Sequence, residues 1–303
     1  AVCEARAALT GEPVDKLKAL AEEKVDFFPV DFEKRQVELM SLLGKKITSS
    51  YENEESGAPS ASFHAAQHNC ASPVTGIGCY RVGEDGRLYF AAKSEHYHIP
   101  LGHDFPGHRL IEIAKKLGIS NATHNNTRGY ITRLLEKSLV AAANGIDIQD
   151  SAKLSELLLK KEPGILNRII NLETGSLAVE AALKMMLSRF YSINGQKAEY
   201  QDRIPVFLVM ADNAGGPTAN YHGTTVIAQT LRGLWPAFSQ KAENGKLYKT
   251  VPVAINDIDD FKAKLKEYNT PPFKTAGFCH EIILMNYGAI KLNESYLKET
   301  YRL

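Results

Sequence analysis

Asn171-Leu172-Glu173-Thr174-Gly175-Ser176-Leu177-Ala178-Val179-Glu180-Ala181-Ala182-Leu183-Lys184-Met185-Met186 decides how the rest of the chain is read. Thr174 and Ser176 are good N-cap residues, and Gly175 lets backbone and ligand approach each other closely. The Ala, Leu and Met run behind them has high helix propensity and contains no Pro or Gly, so a helix is predicted to begin near Ser176. Leu177, Val179, Ala181, Ala182, Leu183, Met186 and Leu187 cover most of its circumference, which predicts a buried helix. The first-turn N–H groups of any helix lack a partner within it. Two hydroxyls, a glycine and the positive helix end would together suit an anion, the dipole contributing about 0.3–2 kcal/mol. An ordinary capped core helix reads the same way locally, and only the segments around it separate the two.

Downstream, Ile204-Pro205-Val206-Phe207-Leu208-Val209-Met210 is a short continuous apolar run, as expected of a parallel strand buried on both faces, with Pro205 tolerated only at its start. Asn256 is a candidate cap for a helix with Ile258, Phe261, Leu265 and Tyr268 on one stripe, and a second apolar run spans Phe278 to Met285. Alternating helices and buried strands predict an α/β fold. Upstream, residues 14–44 read as two amphipathic helices, the second opening at Asp31 and closing at Gly44. The polar stretch 51–60 reads as a linker. Asp85-Gly86 between two aromatic or β-branched runs predicts a hairpin within Gly78 to Ala91. A loop at Pro100 to His108 leads into a helix that stops at Gly118, and further helical patterns occupy 128–143 and 151–161.

With 303 residues, 44% hydrophobic and 23% charged, the chain can bury a large core or two domains. Its 36 basic and 35 acidic residues leave a formal charge of +1, which gives no electrostatic reason to expect nucleic acid or an anionic membrane as partner. No apolar run approaches the roughly 20 residues of a membrane span. Cys3, Cys70, Cys79 and Cys279 are widely spaced without a CxxC pair, which argues against a disulfide framework or a structural zinc and suits a cytoplasmic setting.

Taken in order, Thr174-Gly175-Ser176 with Ala178 to Lys184, then Tyr221-His222-Gly223-Thr224-Thr225, then Glu281 followed by Gly288, resemble the class III aminotransferases, fold type I enzymes of pyridoxal phosphate (PLP). The hairpin of residues 78–92 and Leu101-Gly102-His103-Asp104-Phe105-Pro106 are similar to that family's N-terminal part. The resemblance runs from about residue 74 to the end. It implies a three-layer α/β/α PLP-binding large domain over 101–303, incomplete at its C-terminal side, preceded by a helical arm and hairpin over 1–100. It implies that Gly175 and Ser176 hold the cofactor phosphate, that Tyr221 stacks on the pyridine ring, and that Thr174, His222 and Gly223 complete the cofactor-binding set. Glu281 is implied as the catalytic carboxylate near the incoming amino group. The expected partners are an amino donor, a 2-oxo acid acceptor and a second copy of the chain in a homodimer.

The departures are equally specific. Leu177 stands where the family has Glu, and Glu281-Ile282-Ile283-Leu284-Met285-Asn286-Tyr287-Gly288 replaces the family's Glu-Pro-x-Gln-Gly-Glu-Gly-Gly, which predicts an atypical substrate pocket. The family's Asp-Glu-x-Gln strand and its cofactor-binding lysine have no counterpart before Leu303, so the chain alone is expected not to catalyse transamination. Arg128 and Arg133 are candidates for a substrate carboxylate. Two further readings remain at this stage: a non-catalytic aminotransferase-like protein that binds a partner, and a metal site among His64, His68, His96, His98, His103, His108 and His124. The latter lacks HExxH or a carboxylate cluster, and no metal ligand is assigned.

Overall fold

The computed structural model describes residues 1–52, 55, 57–67, 69–91, 101–119, 128–162 and 164–303. They form a mixed α/β protein that divides into two compact units, Ala1–Arg133 and Leu134–Leu303. The division expected after residue 100 lies outside the described residues.

The first unit holds α1 (Val2–Thr10), α2 (Val14–Ala21), α3 (Val30–Met40), α4 (Ala61–Ala66) and α5 (Arg109–Lys116). Its sheet is an antiparallel meander of β1 (Pro73–Ile77), β2 (Tyr80–Gly83) and β3 (Leu88–Phe90). The β2–β3 hairpin turns at Asp85-Gly86 as expected: Gly86 has φ 75°, and the Asp85 carboxylate accepts from Arg87 N at 2.9 Å and Tyr89 Oη at 2.7 Å. Strand β1 was not anticipated, because Gly76 and Thr75 break the apolar pattern that marks β2 and β3. Leu39 of α3 packs with Tyr80 and Leu88, while Leu17 of α2 packs with Ile113 and Leu117.

Helix α6 (Tyr130–Ala143) crosses the division; α7 (Ser151–Leu159) closes a small core of Val140, Ala141, Leu154 and Leu157 with it. The rest of the second unit is α8 (Gly175–Leu187), β4 (Ile204–Met210), α9 (Val226–Leu231), α10 (Pro236–Asn244), β5 (Lys249–Val253), α11 (Ile258–Glu267), β6 (Phe273–Cys279), β7 (Ile283–Leu284), β8 (Ile290–Lys291) and α12 (Glu294–Arg302). Strands β5, β4 and β6 pair parallel in that order, with Leu208 opposite Val251 and Phe278. Side chains alternate across a strand. Thus Val206, Leu208 and Met210 pack with Phe261 of α11 and Tyr296 of α12, whereas Phe207 and Val209 pack with Leu183, Ala228 and Leu231 of α8 and α9. That double burial explains the unbroken apolar run of β4.

Several expectations need correction. Pro205 is the second residue of β4, not the first, and it lies opposite Lys274 of β6. Edge strand β5 was missed; Lys249, Thr250 and Pro252 hide it, and an edge tolerates a proline better than a centre. The run from Phe278 to Met285 is not one strand, because β6 ends at Cys279 and β7 is a separate two-residue strand. Asp257, rather than Asn256, caps α11, accepting from Asp259 N at 3.0 Å and Asp260 N at 2.9 Å. Asn256 instead accepts from Asn293 N at 2.7 Å and sits at φ 59°. The four cysteines are free, and among the described residues no helix is long and apolar enough to cross a membrane.

Candidate functional site

Helix α8 begins where the sequence places it. Thr174 is its N-cap, with φ −144° and ψ 158°, and its hydroxyl accepts from Leu177 N at 3.2 Å. Burial differs from expectation: only Leu183 is fully buried, while Leu177 and Met185 are exposed. Helix α8 covers the sheet with one side alone, so an apolar circumference did not translate into an enclosed helix.

The loop after β4 is fixed by a folded-back turn. The Asp212 carboxylate accepts from Ala214 N at 2.9 Å and Gly216 N at 2.8 Å, and also bonds the Thr218 hydroxyl. Those donors hold its carboxyl below the usual range, the Thr218 hydroxyl first among them. Asn220, fully buried, donates from Nδ2 to Met210 O at 2.7 Å and ties the loop to the strand end. Tyr221 to Thr224 are thereby delivered to the N-terminus of α8.

There the two motifs meet. Thr224 N donates to Ser176 Oγ at 3.2 Å, and the Ser176 and Thr224 hydroxyls lie 3.3 Å apart. Gly223, at φ 92°, packs directly on this serine: a Cβ there would fall 2.9 Å from Ser176 Oγ and 3.0 Å from its Cα. Gln229 Nε2 donates to Gly223 O at 2.5 Å and locks the loop from α9. Around Gly175, by contrast, nothing stands within 4 Å of a notional Cβ. Thr174, Gly175 and Thr224 are exposed and Ser176 is half-buried, so hydroxyls and a helix N-terminus face open space.

Glu281 lies two residues beyond β6, half-buried, and its Oε2 accepts from Tyr221 N at 3.3 Å. This joins the ends of β4 and β6. His280 stacks on Phe278 with ring centroids 4.6 Å apart and places Nε2 3.0 Å from Tyr301 Oη. The residues brought together are therefore Thr174, Gly175, Ser176, Gly223 and Thr224 on one side, and Tyr221 and Glu281 on the other. Arg128 and Arg133 are exposed and belong to the first unit. Arg232 was missed by the sequence reading; its guanidinium carbon lies 5.1 Å from the Tyr221 ring centroid. The available signal was its place 11 residues after Tyr221.

Of the histidine candidates, His68, His96, His98 and His124 lie outside the described residues. His64 is on α4, and His103 exchanges backbone hydrogen bonds with Gly78. No group of three potential metal-ligating side chains occurs among the described residues.

His222 is buried, and its Nε2 meets no hydrogen-bond partner among the described residues. Burial, then the charges of Arg232 and His280, pushes its pKa down to about 4. Unfolded, the imidazole titrates near its ordinary value of about 6.5. Between these values the unfolded chain binds the extra proton, so stability falls as pH drops through this window, by up to roughly 3 kcal/mol. Urea denaturation across the same range should show this loss, and His222→Gln should flatten it.

No family model matches the sequence, and no curated protein matches it. Among solved structures, the chain is similar to an adenosylmethionine-8-amino-7-oxononanoate aminotransferase from Methanocaldococcus jannaschii, at 19% identity over 81% of this chain and 49% of that one, with a TM-score of 0.49. It is also similar to a transaminase from the marine bacterium Virgibacillus, at 16% identity over 82% of this chain and 52% of that one, TM-score 0.48. A third is the PMP-bound form of an aminotransferase from Vibrio fluvialis, at 16% identity over 83% and 52%, TM-score 0.42. The chain spans about half the length of these structures. At that level of likeness, no activity transfers from them to this chain.

Proposed function

We propose that this chain is the PLP-binding part of a class III-like aminotransferase, moving an amino group between an amino donor and a 2-oxo acid. The observation that carries this reading is the junction of Ser176 with Gly223 and Thr224, motifs 48 residues apart that meet at a helix N-terminus. The residues present fit a phosphate: hydroxyls of Ser176 and Thr224, the positive end of α8, and the open space at Gly175. When bound, PLP supplies the electron sink that makes amino-group transfer accessible.

The chain's own residues have distinct tasks in this reading. Ser176 and Thr224 donate to the phosphate, with Thr174 holding the first turn of α8 in shape. Tyr221 offers a ring face to the pyridine, its other face being covered by Arg232. Glu281 fixes the Tyr221 backbone and sets a negative charge where an incoming ammonium group is drawn in. We extend the proposal to a three-layer α/β/α large domain over 101–303, an arm and hairpin over 1–100, and a cytoplasmic homodimer.

Ser176→Ala should weaken PLP binding by about 0.5–2 kcal/mol, the worth of a lost cap or charge-assisted hydrogen bond. Fluorescence titration with PLP measures it. Unchanged affinity would remove Ser176 from the site and the reading with it.

A further inference from the structure

Helix α1 presents two faces. Cys3 and Ala7, four residues apart, pack against the core of Leu17, Ile113 and Leu117. Val2, Ala5, Arg6 and Leu9 follow the i, i+3, i+4, i+7 spacing of a second face. That face borders a cavity of about 480 Å³ whose other walls include Leu117, Ile119, Tyr130 and Ile131, all within the first unit. Its size falls within the range of small-molecule sites, about 300–1,000 Å³. The walls are mostly apolar, and Val2, Leu9 and Ile131 are left exposed.

Arg6 is the one charged residue among the described residues that line this groove. It is half-buried, and its Nε is buried without a hydrogen-bond partner among the described residues. Its guanidinium lies over Gly118, where a Cβ would stand 3.2 Å from Nη1. Arg6 also borders a second cavity, of about 500 Å³, together with Lys16, Lys116 and Glu12. Glu12 pairs with Lys16 at 3.8 Å, so positive charge is in excess around Arg6. A buried N–H that lacks an acceptor is costly, and the planar fork of a guanidinium matches a carboxylate. An apolar groove with one cation in its wall therefore complements a molecule that is apolar along its length and anionic at one end. The stripe from Val2 to Leu9 runs about 10 Å along the helix, the scale of a medium alkyl chain. We propose that this groove binds the anion of a medium-chain fatty acid, its carboxylate on Arg6 and its alkyl chain along α1. The site is independent of the functional reading above.

The test is calorimetric titration of the whole chain with octanoate, decanoate and 1-octanol, each below its micellar or solubility limit. Decanoate should bind saturably and about fifteenfold more tightly than octanoate, since each buried methylene tightens binding about fourfold. The alcohol, which offers Arg6 no charge, should bind about tenfold more weakly than octanoate. Arg6→Gln should lose about tenfold for octanoate and bind acid and alcohol alike. Leu9 is 83% exposed, so Leu9→Glu should fold as the wild type does and decides the matter if Arg6→Gln proves unfolded by circular dichroism. Its carboxylate, three residues from Arg6 on the same helix face, competes for the guanidinium and should weaken decanoate by about tenfold. Absence of saturable decanoate binding would overturn the proposal and leave the groove to a protein segment. Equal affinity for octanoate and 1-octanol, for octanoate and decanoate, or for decanoate in wild type and Leu9→Glu would overturn it as well.

Discussion

Phe207→Ala is expected to destabilise the second unit by about 3–5 kcal/mol, the range for truncating a fully enclosed aromatic side chain. Phe207 is completely buried in the central strand β4, paired with Thr250 of β5 and Gly277 of β6. Its ring meets Tyr248 edge-on at 6.1 Å and packs in the cluster of Leu183, Ala228, Leu231 and Ala242. The truncation therefore opens a cavity beneath α8, α9 and α10 together. Domains are stable by only about 5–15 kcal/mol, so the variant should unfold at markedly lower urea. Met185→Ala, on the exposed side of α8, should stay within about 0.5 kcal/mol. Equal shifts for the two variants would contradict the packing of α8 on β4.

The second large effect is expected at Gly223. Its φ of 92° is strained for any residue with a Cβ, and that Cβ would stand 3.0 Å from the Ser176 Cα. Gly223→Val adds two further methyl groups to the same contact. Backbone strain of about 1–3 kcal/mol and overpacking of about 1–3 kcal/mol then act at one point. The loop can relieve them only by moving away from α8, which breaks the Thr224 N to Ser176 Oγ bond. PLP affinity should fall by about thirtyfold or more, beyond the roughly 2 kcal/mol at the top of the range for Ser176→Ala. Gly175→Ala provides the contrast: open space surrounds that Cβ and no positive φ opposes it, so folding should be preserved.

The parts of the fold legible in sequence were those set by local chemistry. Thr174 before an uninterrupted apolar run marked the start of α8, and Asp85-Gly86 marked the β2–β3 turn. The seven-residue apolar run of β4 announced a strand covered on both faces, because both faces had to be apolar. What sequence hid depended on distant neighbours. Helix α8 is apolar nearly all round, yet only one side meets the sheet; composition gives the capacity for burial, and other elements decide its extent. Asn256 and Asp257 are both good caps, and the choice between them follows from Asn293, 37 residues away. Edge strand β5 needs fewer apolar residues than β4 and carries Pro252, so its pattern is weak.

The candidate site divides in the same way. Thr174, Gly175, Ser176, Tyr221, Gly223 and Glu281 were identifiable as motif residues, and the structure brings them to the ends of β4 and β6 and to the N-terminus of α8. Arg232 was invisible because its significance lies in the Tyr221 ring beneath it, a contact made by the return of α9. Arg128 and Arg133 attracted attention only as arginines in a helical pattern.

The central claim is that the α8 N-terminus with Ser176 and Thr224 is a phosphate cradle for PLP. It is tested most directly by titrating the chain with PLP and with pyridoxal, which lacks the phosphate, under identical conditions. Saturable one-to-one binding of PLP, at least about tenfold tighter than pyridoxal and competed by inorganic phosphate, is the predicted result. Equal binding of PLP and pyridoxal, or PLP binding that inorganic phosphate leaves untouched, would contradict it.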